Sequence, residues 1–186
     1  RVLSININDC IITDMHLLAN FPNLRALICN NDSLTINILL DIISVSRQLT
    51  QLILNSTNIG DNMLIPIRLL SKLQILDISN CDMTGDTLEN LQRLTNLTTL
   101  EISDNELTNI SGLKNINSLT ELDMNGCNIT ADMVESSLIS LTNLTSLAIS
   151  GNDIGDIGLY SIVTNLPKLE YLDISHNDIT ISGARY

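Results

Sequence analysis

A chain of 186 residues with an apolar share of 44% is long enough to bury one sizeable core. Its net charge of −12 opposes binding to nucleic acid or anionic lipid, both of which are polyanions. An aromatic share of 2% excludes a ring-rich core, so Leu and Ile must do the packing, and the abundance of Leu, Ile and Asn directs attention to internal periodicity.

In chain order, Arg1 runs at once into an alternating segment, Val2 to Ile7, that predicts a short strand, with no charged-then-apolar leader before it. After an arc over Thr13 to Asn23 the same pattern returns at Leu24. The longest mostly apolar stretch, Leu34 to Val45, is interrupted by Thr35, Asn37, Asp41 and Ser44 and is too short to cross a bilayer, so no membrane insertion is expected. The strand pattern recurs at Leu49, Leu73, Leu97, Leu119, Leu144 and Leu169. Between these, Gly85 to Leu91 and Gly155 to Ile162 space apolar residues three to four apart, as helices packed on a core do. The missing initiator Met and the uncapped end at Ile181 to Tyr186 read as the edges of a piece of a longer protein.

Written as L-x-x-L-x-L-x-x-(N/C)-x-(L/I), the chain aligns eight times, with steps of 22, 25, 24, 24, 22, 25 and 25 residues. The phase is clearest at Leu97, Leu100, Ile102, Asn105 and Leu107. Positions four and six share one side of a strand, while positions three and five face the other way. Strands from successive repeats stack in parallel roughly 4.8 Å apart. A wider outer arc of helices or turns bends the stack and leaves the strand face concave. The ninth position turns the chain out of the strand and must satisfy backbone groups that no ladder reaches. That column reads Cys10, Asp32, Thr57, Cys81, Asn105, Cys127, Asn152 and Asn177.

These eight registers resemble the leucine-rich-repeat family over the whole chain. The resemblance implies a single domain, 1–186, folded as an α/β solenoid: a horseshoe with a concave parallel sheet and helices or turns on its convex side. Repeats one and five, of 22 residues, resemble the short internalin-like type; the longer ones resemble cysteine-containing and ribonuclease-inhibitor-like repeats. Such arrays recur as recognition arms in ubiquitin-ligase adaptors and in bacterial effectors, so the resemblance implies a protein-interaction module.

The phase also disposes of other chemistry. Cys10, Cys81 and Cys127 fall in the inward turn column and Cys29 at an inward strand position, so all four are expected buried and reduced, which points to a reducing compartment such as the cytosol. Cys81 and Cys127 are two repeats apart, near 10 Å, too far for a disulfide. His16 and His176 belong to repeats one and eight and cannot share a metal or a proton relay. No phosphate loop, nucleophile elbow or zinc-ligand spacing occurs, so neither a cofactor nor catalysis is expected. Six Asn-x-Ser/Thr sequons, at Asn31, Asn55, Asn96, Asn109, Asn128 and Asn143, keep open a secreted or surface receptor or adhesin.

The outward columns carry the functional expectation. Ala26, Ile28, Ile53 and Ile75 make an apolar patch near the amino end, and Asp77, Asp82, Glu101, Asp104, Glu106, Glu121 and Asp123 make an acidic field beside it. Tyr171 and Asp173 end the same columns. Of the nine basic residues only Arg25 falls in the concave columns. An apolar cluster rimmed by charge is the mark of a protein interface, and its sign predicts a partner with a basic surface.

Overall fold

The computed structural model describes residues 2–8, 10, 16–30, 34–180 and 182. Asp32 of the turn column and the sequon at Asn31 lie outside them, as do the first three residues of the arc expected over Thr13 to Asn23. Eight three-residue strands form one sheet: β1 (Ser4–Asn6), β2 (Ala26–Ile28), β3 (Gln51–Ile53), β4 (Ile75–Asp77), β5 (Thr99–Glu101), β6 (Glu121–Asp123), β7 (Ser146–Ala148) and β8 (Tyr171–Asp173). All neighbours pair in parallel and in sequence order, as the periodicity predicts. The register matches template positions one to one: Leu27, Leu52, Leu76, Leu100, Leu122 and Leu147 stand opposite one another across successive pairs.

That fourth-position column is fully buried in the middle of the stack, whereas Ile5 and Leu172 at its two ends are only partly covered. A repeat buries its leucines against its neighbours and not within itself, so a terminal repeat has half the cover. Just before each strand a second column ties the repeats together. The Thr50 amide donates to Arg25 O (2.8 Å), Gln74 to Thr50 O (2.8 Å), Thr98 to Gln74 O (2.9 Å) and Thr120 to Thr98 O (2.9 Å).

The outer arc varies with repeat length. The 25-residue repeats carry α-helices: α1 (Ile36–Val45), capped by the Thr35 hydroxyl, then, past a four-residue helix α2 (Leu64–Ile67) in repeat three, α3 (Ala131–Ser136) and α4 (Gly155–Asn165). Among the described residues the 22-residue repeats carry 3-10 turns, His16–Asn20 and Ser111–Asn115. A 3-10 turn rises about 2.0 Å per residue against 1.5 Å for an α-helix, so fewer residues can still traverse the arc.

Gly85 to Leu91 departs from its α-helical expectation. The arc of repeat four is a 3-10 helix over Leu88–Arg93, and it lies directly on the Ser111–Asn115 turn of the short repeat five. The contact is backbone to backbone, because a Cβ on Gly112 would collide with the Leu88–Glu89 main chain. A wider α-helix there would not leave room for the neighbour. No helix among the described residues is long and apolar enough to cross a membrane.

Candidate functional site

The turn column fixes the rim of the sheet. Asn105 Oδ1 accepts from the Cys81 and Met83 amides of the preceding repeat (3.0 and 2.9 Å), and its Nδ2 lies within 3.1 Å of the Ile78, Ile102 and Ser103 carbonyls. Asn152 repeats the pattern on Cys127, Ile129, Met124, Ile149 and Ser150. Where the column holds Cys, the thiol has one proton to offer: Cys81 Sγ reaches Leu54 O (3.3 Å) and Ser79 O (3.2 Å), and Cys127 Sγ reaches Ile102 O (3.1 Å).

Burial pushes the Cys29 and Cys127 thiols up to about 11 and raises Cys81 as well, so all three are poor nucleophiles. Cys10 corrects the expectation of burial, for it is exposed. The ninth residue leans back over the repeat before it, as Cys127 does towards Ile102 O, and Cys10 lies in the first of the eight repeats.

On the concave side the predicted residues separate into three groups. Ala26, Ile28, Ile53 and Ile75 are contiguous across β2 to β4 and only partly covered, an apolar strip facing out of the sheet. Glu101, Glu121, Asp123, Tyr171 and Asp173 come together farther along, lining a hollow of about 280 Å³ with Ser146 and Ala148 as its floor. Asp82, Asp104 and Glu106 lie past the strand ends on the rim and are exposed, the two aspartates at positive φ.

Asp77 departs from the open-face expectation. It is 5% exposed, accepting from Asn55 Nδ2 and the Ser79 amide (3.0 Å each). It is a structural acceptor between the two zones and offers a partner little surface. Of the histidines, His16 has its side chain outside the described set, and His176 is exposed at positive φ beside Asp173.

The hollow follows from side-chain size. Register places Ser146 between Glu121 and Tyr171, and Ala148 between Asp123 and Asp173. Two short side chains on β7 therefore leave a notch between walls two strand spacings, roughly 9.6 Å, apart. Sequence reasoning missed Ser146 and Ala148 because small residues in an outward column carry no signal alone; their meaning comes from their neighbours in the stack.

The charge on this face is largely uncompensated among the described residues, with His176 alone acting on Asp173. Among the described residues none of Glu101, Glu121, Asp123 and Asp173 pairs with a basic side chain. The basic residues satisfy neutral acceptors elsewhere: Arg25 the Leu24 and Gln48 carbonyls, Arg68 the Asn90 amide, Lys72 the Gln48 amide and Lys168 the Asn143 amide. Burial raises the Glu101 pKa, and repulsion from Asp77, Asp123 and Glu121 raises it further. Hydrogen bonds from Ser175 lower that of Asp173.

A larger concavity, about 560 Å³, opens on the outer arc between α1 and α2, lined by Leu34, Ile36, Leu40, Ile59, Ile65 and Pro66 among others. It was not expected from the sequence, although the nearly continuous apolar run of α1 was a signal for it. Among the described residues no group of three His, Cys, Asp or Glu is placed to hold a metal.

Residues 1–184 match a family profile described as a leucine-rich repeat region. A search of curated sequences finds no match. Similar solved structures include an internalin, inlF, of Listeria monocytogenes, at 24% identity and a TM-score of 0.71, covering 94% of this chain and 48% of that one. An internalin C2 of the same organism aligns at 22% identity and a TM-score of 0.75, over 97% of this chain and 75% of that one. A plant peptide hormone receptor, RGFR1, in complex with RGF2, aligns at 20% identity and a TM-score of 0.63, over 95% of this chain and 28% of that one. The chain thus spans about half the length of the first of these and little over a quarter of the third.

Proposed function

The chain belongs to the leucine-rich-repeat family, whose domains are generally protein-binding modules, and from that premise we propose that its concave sheet docks a protein partner with a basic surface. The observation that carries the reading is the unpaired acidic field of β5, β6 and β8 adjoining the apolar strip of β2 to β4. Clustered carboxylates that meet no lysine or arginine among the described residues steer a cationic partner and are relieved by it. The apolar strip supplies the anchor that charge alone does not, because exposing isoleucines gains nothing in folding. In a longer parent protein this segment is the recognition arm, of the kind a bacterial effector or a ubiquitin-ligase adaptor uses, working in a reducing compartment.

The experiment is a selection of displayed random peptides on the immobilised chain, followed by binding kinetics at two salt concentrations. Basic sequences should be enriched. Replacing Glu101, Glu121 and Asp123 together by Gln or Asn should slow association and flatten its salt dependence. Asp77 is left out of that set because it holds Asn55 and Ser79 in place. Ile28→Ala or Ile53→Ala should chiefly speed dissociation, losing roughly 1 to 2 kcal/mol for a central contact. Loss of binding on substituting Arg93 and Lys114 of the outer arc, with the concave variants unaffected, would move the interface to the convex side.

A secreted or surface receptor or adhesin is the second reading, and the exposed sequons at Asn109 and Asn128 favour it. The other described sequons spend their amides on structure: Asn55 on Asp77, Asn96 on Ser71 O and Asn143 on Asn117 O. One native disulfide in a non-reducing mass measurement would shift the assignment to this second reading.

A further inference from the structure

We propose that the notch over β7 is a pocket for one arginine side chain projecting from the bound partner. The inference deepens the concave-face reading and rests on it. The floor is short, the walls differ in chemistry, and the three features together select the occupant. On one wall stand the Glu121 and Asp123 carboxylates; on the other stand the Tyr171 ring, 56% exposed, and the Asp173 carboxylate.

Both hydrogen bonds to Asp123 fall on Oδ1, from Ser103 Oγ and the Asn125 amide. Both to Asp173 also fall on Oδ1, from the Ser175 amide and hydroxyl. One oxygen of each carboxylate is thus left without a hydrogen-bond partner among the described residues, while the other is locked by the strand-end turn. Glu121 receives one bond, from Thr99 Oγ1 (3.2 Å). Acceptors with donors already on one side, and no lysine or arginine beside them among the described residues, call for a donor-only group from outside the chain.

Charge rules out an anion, and polar walls disfavour an aliphatic side chain, whose burial would desolvate the carboxylates without replacing their hydrogen bonds. Between the two cationic side chains the tyrosine decides. A guanidinium is planar, lies flat on an aromatic face and still presents donors at its edge to a carboxylate, whereas an ammonium offers three donors from a point. The hollow's 280 Å³ accommodates one long side chain but not a helix or a second strand. His176, beside Asp173, is the other titratable group at this edge, and it stands on the turn after β8.

The test is an amide-resolved NMR titration of the whole chain with N-acetyl-arginine amide, with the neutral isostere N-acetyl-citrulline amide and with N-acetyl-lysine amide. Arginine should shift the Ser146–Ala148 and Tyr171 amides saturably, at least about ten-fold more tightly than citrulline and more tightly than lysine. Ala148→Leu, which fills the floor, and Tyr171→Ala, which removes a wall, should each weaken arginine several-fold. Unchanged amides in β3 show that the variants remain folded. Equal binding of arginine and citrulline, or arginine binding untouched by Ala148→Leu, overturns the pocket. If selected peptides depend on Glu101 and Ile53 yet are not displaced by arginine amide, the pocket fails and the concave-face reading survives. If they depend on neither concave set, that reading fails too.

Discussion

The turns of repeats five and seven and those of repeats four and six do the same geometric task with different chemistry. Asn105 and Asn152 each meet two amides and three carbonyls, spanning two repeats with one side chain. Cys81 and Cys127 fill the same place with a sulfur that donates one proton and otherwise packs as a small apolar group. The stack is therefore stitched unevenly. Asparagine turns are polar rivets that must be satisfied in full, while cysteine turns are closer to core positions. The difference teaches that one template column can be met by hydrogen bonding or by burial, and that mutation should tell the two apart.

The sharpest break is Asn105→Ala. It orphans the buried Cys81 and Met83 amides and removes the donor to three carbonyls, so the cost should be about 3 to 5 kcal/mol in chemical denaturation. Leu100→Ala, one turn of sequence away, tests whether burial is as strong a stitch as the rivet; it should cost roughly 2 to 5 kcal/mol, while its outward neighbour Thr99→Ala should hardly move the midpoint. Equal midpoints for those two variants would reject the register. Cys81→Ala keeps the apolar character of its turn and should cost only on the order of 1 kcal/mol. A loss as large as that of Asn105→Ala would erase the distinction.

Thiol chemistry sharpens the comparison from another side. In native protein an alkylating reagent should modify Cys10 alone, with Cys29, Cys81 and Cys127 reacting only on unfolding, as mass spectrometry would show. The smallest expected effect lies on the face. Glu101 has a folded pKa above its ordinary value, so the native state holds that proton more tightly than the unfolded state, and its charge opposes folding at neutral pH. Glu101→Gln should stabilise by no more than about 0.5 kcal/mol at pH 7, because the site is solvent-screened. The gain should fade as pH falls through the folded pKa and vanish below the ordinary carboxylate range. Destabilisation at pH 7 would contradict the sign.

Much of the fold was readable because it depends on phase. The inward leucines and the turn column follow from counting residues, and the parallel in-order sheet follows from both. What was not readable depends on neighbours in the stack. Cys10 has the phase of a buried residue yet lies exposed in the first of the eight repeats. Asp77 has the phase of an exposed one, yet Asn55 from the previous repeat reaches across to cover it. The 3-10 arc at Leu88–Arg93 is set by Gly112 in the next repeat. The notch is a property of three strands together, and no single column announces it. A one-dimensional pattern records what each repeat does and leaves out what its neighbours do to it.

The backbone bonds that join repeats are made mainly by the strands, the residues just before them and the turn segment after them, while the outer arcs are joined by side-chain bonds such as Gln92 Nε2 to Gly112 O and Ser161 Oγ to Glu135, and they range from a 3-10 turn to an eleven-residue helix. Lineages of such a chain can therefore vary in two independent ways. Point substitution rewrites the outward strand residues, and small insertions or deletions lengthen or trim the arc where the neighbouring arc leaves room, as it does not at Gly112, without shifting the strand register. Recognition and bulk can be inherited separately on the same scaffold.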